Sequence, residues 1–196
     1  MHKKIGVIRG DCSSHEIVDQ TLRVLDFIGQ QYGHEWEYVP IAMGGDAIDK
    51  YGSPLPDHEL RKAMDSDAVL LGAVGGPKWE GLPGEQRPEK GLLALRKGMG
   101  LYSNLRPAKI WPQLADASPL KKEIVDKGID FIIVRELTGG VYFGEHKTFV
   151  EDGIRKAVDL MPYDENEIRR IGRVGFETAM KRGKKLTLVY NANFLE

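Results

Sequence analysis

The segment at residues 135–145 places a cation, an acid and a phenol beside two glycines, directly after an apolar run. That run, residues 129–134, is short and rich in β-branched side chains, which predicts a buried strand ending at Arg135. Parallel sheets bind ligands at such strand ends. Gly139 and Gly140 allow close backbone approach, and a guanidinium pairs well with a carboxylate. The grouping is typical of a site for a small anionic substrate.

The same residues also allow a purely structural interpretation. In that case Arg135 and Glu136 form a solvated ion pair, and Tyr142 is the amphipathic edge of a strand. The segment taken alone leaves both interpretations open.

The composition limits the classes of protein that fit this chain. Its 196 residues are 41% hydrophobic and 29% charged, as in ordinary folded proteins, and the net charge is −1. This charge gives no reason to expect binding to nucleic acid or anionic lipid. No apolar run approaches the roughly 20 residues of a membrane span. We therefore expect a cytoplasmic protein that does not act on membranes.

Metal and thiol chemistry have few candidates in this sequence. Cys12 is the only cysteine, which excludes an internal disulfide and a cysteine-based zinc site. The 5 histidines are scattered without ligand spacing. The sequence thus identifies no metal ligands, and any bound metal would need carboxylates.

Strands and helices alternate along the first half of the chain. Apolar runs predict strands at residues 4–8, 36–43 and 67–74, and helical spacing predicts helices at 14–31, 45–51 and 58–64. This order predicts an α/β fold with a largely parallel sheet and flanking helices.

A stretch rich in glycine, proline and charge follows at residues 75–107, interrupted by a predicted helix at 92–97. We place a domain crossing near residues 98–107. The chain is therefore expected to comprise a first α/β domain at 1–99 and part of a second domain at 100–196.

The second domain is predicted to be a partial α/β domain with a β arm. Besides the strand at 129–134, apolar runs predict strands at 154–161 and 186–190. The acid-Asp-Gly turn ending at Gly153 predicts a hairpin, the arm at about 146–161. A helix is expected at 164–181, where Asp164 and Glu167 have capping-box spacing.

Five motifs occur in an order that resembles a known family. They are residues 10–11, 72–77, 88–96, 104–107 and 135–145. Together they resemble the 3-isopropylmalate dehydrogenases, the leucine-pathway branch of the isocitrate/isopropylmalate dehydrogenase family. The resemblance covers essentially the whole chain, which corresponds to the front part of that family's sequence. It implies the family's fold and an NAD-dependent oxidative decarboxylation assisted by Mg²⁺ or Mn²⁺.

The resemblance also implies roles for single residues on the substrate side. The malate carboxylates would be held by arginines: Arg96, Arg106 and Arg135. Leu92 and Leu93 would receive the isopropyl group. In the structural alternative, both leucines are plain core residues and Arg96 is a solvated helix charge.

Cofactor and proton-transfer roles follow from the same resemblance. Glu89 would lie near the nicotinamide, beside the backbone of Gly75 and Gly76. Tyr142 would be the acid that protonates the enolate after carbon dioxide leaves.

The first loop departs from the family pattern. The family normally reads G-D-G-I-G-P-E, whereas residues 12–16 here are Cys-Ser-Ser-His-Glu. Side chains in place of glycines are expected to stiffen the turn and fill space near a cofactor. Cys12 and His15 could form an activated thiol. The preferred alternative is a capping box of Ser13 and Glu16, because no group that would orient the histidine is visible.

A second departure falls at the family's lysine motif. Asn191 stands where the resemblance implies a lysine, and an amide cannot act as a general base near neutral pH. The metal-binding aspartates and the adenosine segment lie in the family beyond the position of Glu196. We therefore expect this chain alone to be catalytically incompetent.

The arm implies partners. In the family this region pairs with a second subunit, so we expect a homo-oligomer or an assembly with a homologous subunit. The alternatives are a non-catalytic regulatory partner, a decayed or engineered fragment, and a repurposed enzyme that uses Cys12.

Overall fold

A computed structural model describes residues 1–190 of the chain. The chain divides into two compact units, Met1–Leu101 and a second unit that begins at Tyr102, and each is described by itself. Among the described residues, no helix is long and apolar enough to cross a bilayer.

The first unit is built on a three-stranded parallel sheet. Its strands are β1 (His2–Ile8), β2 (Glu35–Pro40) and β3 (Ala68–Leu71), in the order β2-β1-β3. Both pairings with β1 are parallel. The predicted α/β fold with a parallel sheet is confirmed.

Two strands are shorter than their apolar runs predicted. After β2 the chain bends, and Ile41 and Met43 turn into the core beside the sheet. After β3 the amide of Ala73 bonds to the hydroxyl of Ser14 instead of to a strand. Tertiary contacts therefore end both strands before the apolar runs end.

Four helices surround the sheet. They are α1 (Ser14–Tyr32), α2 (Gly45–Tyr51), α3 (Asp57–Met64) and α4 (Pro88–Gly98). Gly33 ends α1 in a left-handed conformation with a φ of 65°, as expected for a terminal glycine. Helix α4 starts four residues before the predicted segment at 92, because Pro88 occupies its first position.

The core lies on both faces of the sheet. Ile5 and Val7 of β1 pack against Val18 of α1 on one face. On the other face, Ile8 packs with residues of the loop after β2 and of α3 and α4: Ile41, Met43, Ala63 and Leu95. The central strand is apolar throughout its second half because both of its faces are buried.

The described part of the second unit, residues 102–190, contains two antiparallel strand pairs and one long helix. Strands β4 (Ser103–Lys109) and β5 (Asp130–Glu136) form one pair, and helix α6 (Glu165–Met180) packs against β5. A short helix α5 (Lys122–Val125) lies between the two strands in sequence.

The interpretation of the 129–134 run is corrected by this pairing. Its strand β5 runs antiparallel to β4 and continues through Arg135 to Glu136. It is also only partly covered, because Phe131 and Ile133 are each about half exposed. Strand β4 was not predicted. It contains Pro107 and several polar residues, so its sequence lacks the apolar pattern typical of a strand.

The predicted hairpin is confirmed. Strands β6 (His146–Glu151) and β7 (Ile154–Asp159) pair antiparallel around a two-residue turn. Asp152 and Gly153 have φ values of 53° and 72°. A tight hairpin turn of this kind needs positive φ at both central residues, which Asp-Gly tolerates best.

The start of α6 matches the sequence prediction, whereas the region after it does not. Asp164 and Glu167 form the predicted capping box. The predicted strand at residues 186–190 is wrong: no strand forms there, and the Leu186 side chain lies against Gly175 of α6. Asn191, the position of the lysine motif, lies outside the described residues.

Glu59 of α3 is a buried carboxylate in the first unit. Its Oε2 accepts a hydrogen bond from the amide of Ala42 at 3.1 Å, and Lys62 Nζ lies 3.0 Å from each oxygen. Burial raises the pKa of Glu59, but the contacts with Lys62 and Ala42 outweigh it and hold the pKa below 4.5. The ionised carboxylate thus joins α3 to the loop after β2.

A depressed pKa adds stability above the pKa of the unfolded chain, and this stability is lost as pH falls through the folded pKa. We expect Glu59→Gln to lower the free energy of unfolding by about 1–3 kcal/mol at pH 7. At pH 3 the variant and the parent should differ less. Urea unfolding at both pH values measures this. Glu37→Gln, an exposed glutamate of β2, is the control; an equal loss at both pH values contradicts the account.

Candidate active site

Asp11 organises the carboxyl end of the parallel sheet. Its side chain is 3% exposed, and its Oδ2 accepts from the amides of Gly45 at 3.0 Å and Gly75 at 2.7 Å. Its Oδ1 accepts from the amide of Asp46 at 3.0 Å. One carboxylate therefore ties the loop after β1 to the start of α2 and to the loop after β3, the edge where parallel sheets bind ligands.

Direct contacts between the two loops reinforce this connection. The amide of Asp11 donates to the carbonyl of Ala73 at 2.8 Å, and the amide of Ala73 donates to Ser14 Oγ at 2.6 Å. Gly10 has a φ of 76°, and a Cβ there would lie 2.1 Å from the Ala73 carbonyl oxygen. Only glycine fits this position.

Cys12 and its neighbours do not form the predicted capping box. Ser13 is the N-cap of α1, but its side chain makes no capping hydrogen bond. Cys12 is exposed and has a φ of 55°. If Gly76 carried a Cβ, that atom would lie 2.7 Å from the sulfur of Cys12. His15 Nε2 donates to the carbonyl of Gly10 at 2.7 Å. Ser13 has φ and ψ of −67° and −8°, a helical conformation, whereas a capping serine usually has an extended backbone.

This geometry gives the thiol hypothesis no support. The Nε2 of His15 is bonded to a backbone carbonyl, so this nitrogen is not placed to accept a proton from Cys12. The sulfur of Cys12 instead lies beside Gly76.

A cleft of about 190 Å³ lies beside the loop after β3. It is lined by Gly76, Trp79, Glu80, Arg87, Pro88 and Glu89. Glu89 is exposed, and its Oε1 would lie 2.7 Å from a Cβ if Gly75 carried one. Of the three predicted cofactor residues, Gly76 and Glu89 thus line this cleft, and Gly75 lies beside the Glu89 carboxylate.

Trp79 is held in this cleft by α2. Its indole Nε1 donates to Asp49 Oδ1 at 3.2 Å, and its ring fills the space that a Cβ on Gly45 would need. Lys78 Nζ lies 2.5 Å from Asp49 Oδ2 and lowers the pKa of Asp49.

The predicted substrate residues of the first unit lie along α4. Leu92, Leu93 and Arg96 follow Glu89 at spacings that share one side of a helix. Leu92 is partly buried and packs against the core cluster around Ile8. Leu93 and Arg96 are half-buried.

The second unit places three further predicted residues together. Arg135 lies opposite Asn104 in the β4–β5 register, so the two side chains share a face with Arg106, two residues along β4. Arg106 Nε donates to Asn104 Oδ1 at 2.6 Å. The Arg135 guanidinium carbon lies 5.6 Å from the ring centroid of the exposed Tyr142.

Two roles escaped the sequence prediction. Asp11 and Asn104 belong to motifs that carried the resemblance, yet neither was given a function. The signal for Asp11 is an acid directly after a buried strand, and for Asn104 it is an amide one residue from a substrate arginine.

The residues present offer different groups to the two implied cofactors. The cleft is lined by Gly76 and Glu89, two of the residues to which the resemblance gives a cofactor role, and the sulfur of Cys12 lies beside Gly76. Within residues 1–190, no group of three or more histidine, cysteine, aspartate or glutamate side chains could hold a metal ion. The described residues by themselves therefore supply no set of three such ligands for the implied divalent cation.

Comparison with known proteins places this fold and site in a class. The sequence profile of the isocitrate/isopropylmalate dehydrogenases matches residues 4–196. The chain belongs to this family. A β-decarboxylating dehydrogenase from Thermococcus kodakarensis, in its apo form, is 33% identical with a TM-score of 0.67, covering 98% of this chain and 50% of its own.

Within the family, similar relatives are 3-isopropylmalate dehydrogenases. That of Aquifex aeolicus is 58% identical over 194 residues, covering 98% of this chain and 53% of its own length. That of Clostridium acetobutylicum is 53% identical over 193 residues, covering 98% and 54%. The chain thus spans about half the length of the curated relatives it matches.

Proposed function

We propose that this chain carries the substrate-carboxylate side of a 3-isopropylmalate dehydrogenase. The observation that carries the proposal is the shared face of Arg106 and Arg135 beside Tyr142. Similarity to the 3-isopropylmalate dehydrogenases of Aquifex aeolicus and Clostridium acetobutylicum supports this choice of substrate. The ligand class is a small 2-hydroxy dicarboxylate.

The two arginines of this face suit a dicarboxylate. A guanidinium stays charged at any working pH and pairs with a carboxylate through two parallel hydrogen bonds. Asn104 accepts from Nε of Arg106, which orients the terminal nitrogens of that side chain. In the first unit, Arg96 keeps the carboxylate role, and Leu92 and Leu93 the alkyl role, that the resemblance implies.

Tyr142 is the residue we assign to proton transfer. Its phenol is 57% exposed, so the hydroxyl can reach a ligand. A phenol can donate a proton to an enolate when it is held in hydrogen-bond reach. NAD, when bound, supplies the hydride acceptor; Glu89, Gly75 and Gly76 are the residues we assign to it.

We further propose that the 196-residue chain by itself does not oxidise the substrate. Proton removal from the substrate hydroxyl needs a general base, and Asn191 cannot take up a proton near neutral pH. Substrate binding and turnover are therefore separable in this chain, and each can be measured.

The test is ligand-dependent stability. A ligand that binds only the folded chain raises the free energy of unfolding by about 2.7 kcal/mol at 100 times its Kd. We expect 3-isopropylmalate to raise the melting temperature of the parent chain. Arg135→Gln should abolish the rise, because the carboxylate loses its forked partner. With NAD and Mg²⁺ added, no NADH should form.

Arg23→Gln, an exposed arginine of α1, is the matched control and should keep the full rise. If 3-isopropylmalate raises the melting temperature of Arg135→Gln as much as that of the parent chain, Arg135 does not bind a substrate carboxylate. NADH production that Tyr142→Phe abolishes would instead show that the chain completes the reaction.

A second proposal concerns assembly, and it depends on the exposure of the hairpin. All six residues of β7 are exposed, including Ile154 at 63% and Val158 at 42%, and Val150 of β6 is 68% exposed. Among the described residues β7 pairs only with β6, and exposed apolar side chains on a strand with one open edge favour association. We propose that the hairpin pairs with a second copy of this chain or with a homologous subunit.

Light scattering measures the mass of this assembly. We expect the parent chain to be a dimer and Ile154→Lys/Val158→Lys to be monomeric, because both side chains share one face of β7. Val24→Lys, an equally exposed valine of α1, serves as the control and should remain dimeric. A monodisperse parent monomer at high concentration would exclude self-association.

A further inference from the structure

We infer that Arg170 of α6 is a positioning residue for the Arg135–Tyr142 site. The inference rests on the function proposed above for that site. Arg170 touches neither arginine of the site in the contacts described. It acts through Glu136, the residue that follows Arg135 at the end of β5.

Glu136 is the acceptor that fixes the turn after β5. Its side chain is only 9% exposed. It accepts from the amide of Leu137 at 2.5 Å and lies 3.3 Å from both the amide and the hydroxyl of Thr138. The carboxylate therefore shapes the chain immediately after Arg135, on the way to Tyr142.

Arg170 supplies the charge that this buried carboxylate needs. Its Nη2 donates to Glu136 Oε1 at 2.6 Å and to Thr138 Oγ1 at 2.7 Å. Its guanidinium carbon lies 4.9 Å from the ring centroid of Tyr102, which precedes β4. Burying a carboxylate without a cationic partner strongly destabilises the folded chain. The buried position of Glu136 therefore depends on Arg170.

The same helix also holds the next part of the turn. A Cβ on Gly139 would lie 2.8 Å from Glu167 Oε2, so the capping-box glutamate of α6 packs against this glycine. The amide of Gly140 donates to the carbonyl of Pro162 at 2.8 Å, just before α6. Contacts with α6 and with Pro162, just before it, thus hold residues 136–140 in place. These residues lie between Arg135 and Tyr142 in the chain.

The arrangement separates two tasks. Arg135 and Tyr142 face the ligand, whereas Glu136 points to the other face of the β4–β5 pair, because neighbouring residues of a strand alternate. Arg170 holds that other face. Loss of Arg170 should therefore shift the angle at which Arg135 and Tyr142 are presented without removing a ligand contact.

The test uses Glu136→Gln/Arg170→Met, which removes both charges together and so avoids an unpaired buried carboxylate. The single variant Arg170→Lys keeps the charge but replaces the planar guanidinium that lies over the ring of Tyr102 with a compact ammonium. Arg169→Met is the control, since Arg169 pairs with Glu165 on the exposed side of the same helix.

The first readout needs no ligand. The ring of Tyr142 shifts the NMR signal of the Arg135 side chain, so that signal reports their packing. We expect it to move in the double variant and in Arg170→Lys, and to stay unchanged in Arg169→Met. An unchanged signal in the folded double variant overturns the inference.

The second readout is affinity for 3-isopropylmalate. A small displacement of positioned groups can cost about 10-fold to 100-fold. We expect Kd to rise by about 10-fold or more in the double variant, with a smaller rise in Arg170→Lys. Parent-like affinity in the double variant would overturn the inference. If the parent chain does not bind the ligand, the proposed function fails while the first readout still decides the role of Arg170.

Discussion

The first unit depends on one buried carboxylate. Asp11 accepts three backbone amides, from Gly45, Asp46 and Gly75, at the edge where the central strand ends. Taking a carboxylate out of water is costly unless it is fully hydrogen-bonded, and here the bonds come from two other segments. The start of α2 and the loop after β3 are held in place by this single side chain. The cleft beside Gly76 is a consequence of that constraint.

The second unit repeats the same physical solution. Glu136 is also a carboxylate at a strand end, and it collects the amides of Leu137 and Thr138 together with the charge of Arg170. In each unit, a buried acid at a strand end fixes backbone amides of later segments of the chain. The proposed substrate arginine Arg135 directly precedes the buried acid of its unit.

The sequence predicted those parts of the fold that local patterns determine. The apolar run of β1 and the periodicity of α1 are independent of distant contacts, and the Asp152-Gly153 turn and the Asp164 cap are set by their own side chains. Ends that depend on tertiary contacts were mispredicted. Strand β3 stops where Ala73 bonds to Ser14, which no local pattern reveals.

The candidate site was predictable through motifs, and its supports were not. Arg106, Arg135 and Tyr142 stood out by residue type and order. Asn104 remained without a role because its function depends on the β4–β5 register. The capping box predicted for Ser13 is also absent. The spacing of Ser13 and Glu16 fits such a box, but Ser13 makes no capping hydrogen bond, and the neighbouring Ser14 hydroxyl accepts from the amide of Ala73.

The direct test of the account is whether the paired arginines meet the dicarboxylate. NMR of the guanidinium Nε groups, recorded while 3-isopropylmalate is added, follows Arg106 and Arg135 individually. The account predicts that both signals shift together and saturate at one ligand per chain. Shifts confined to exposed arginines such as Arg155, or linear drift without saturation, would contradict it.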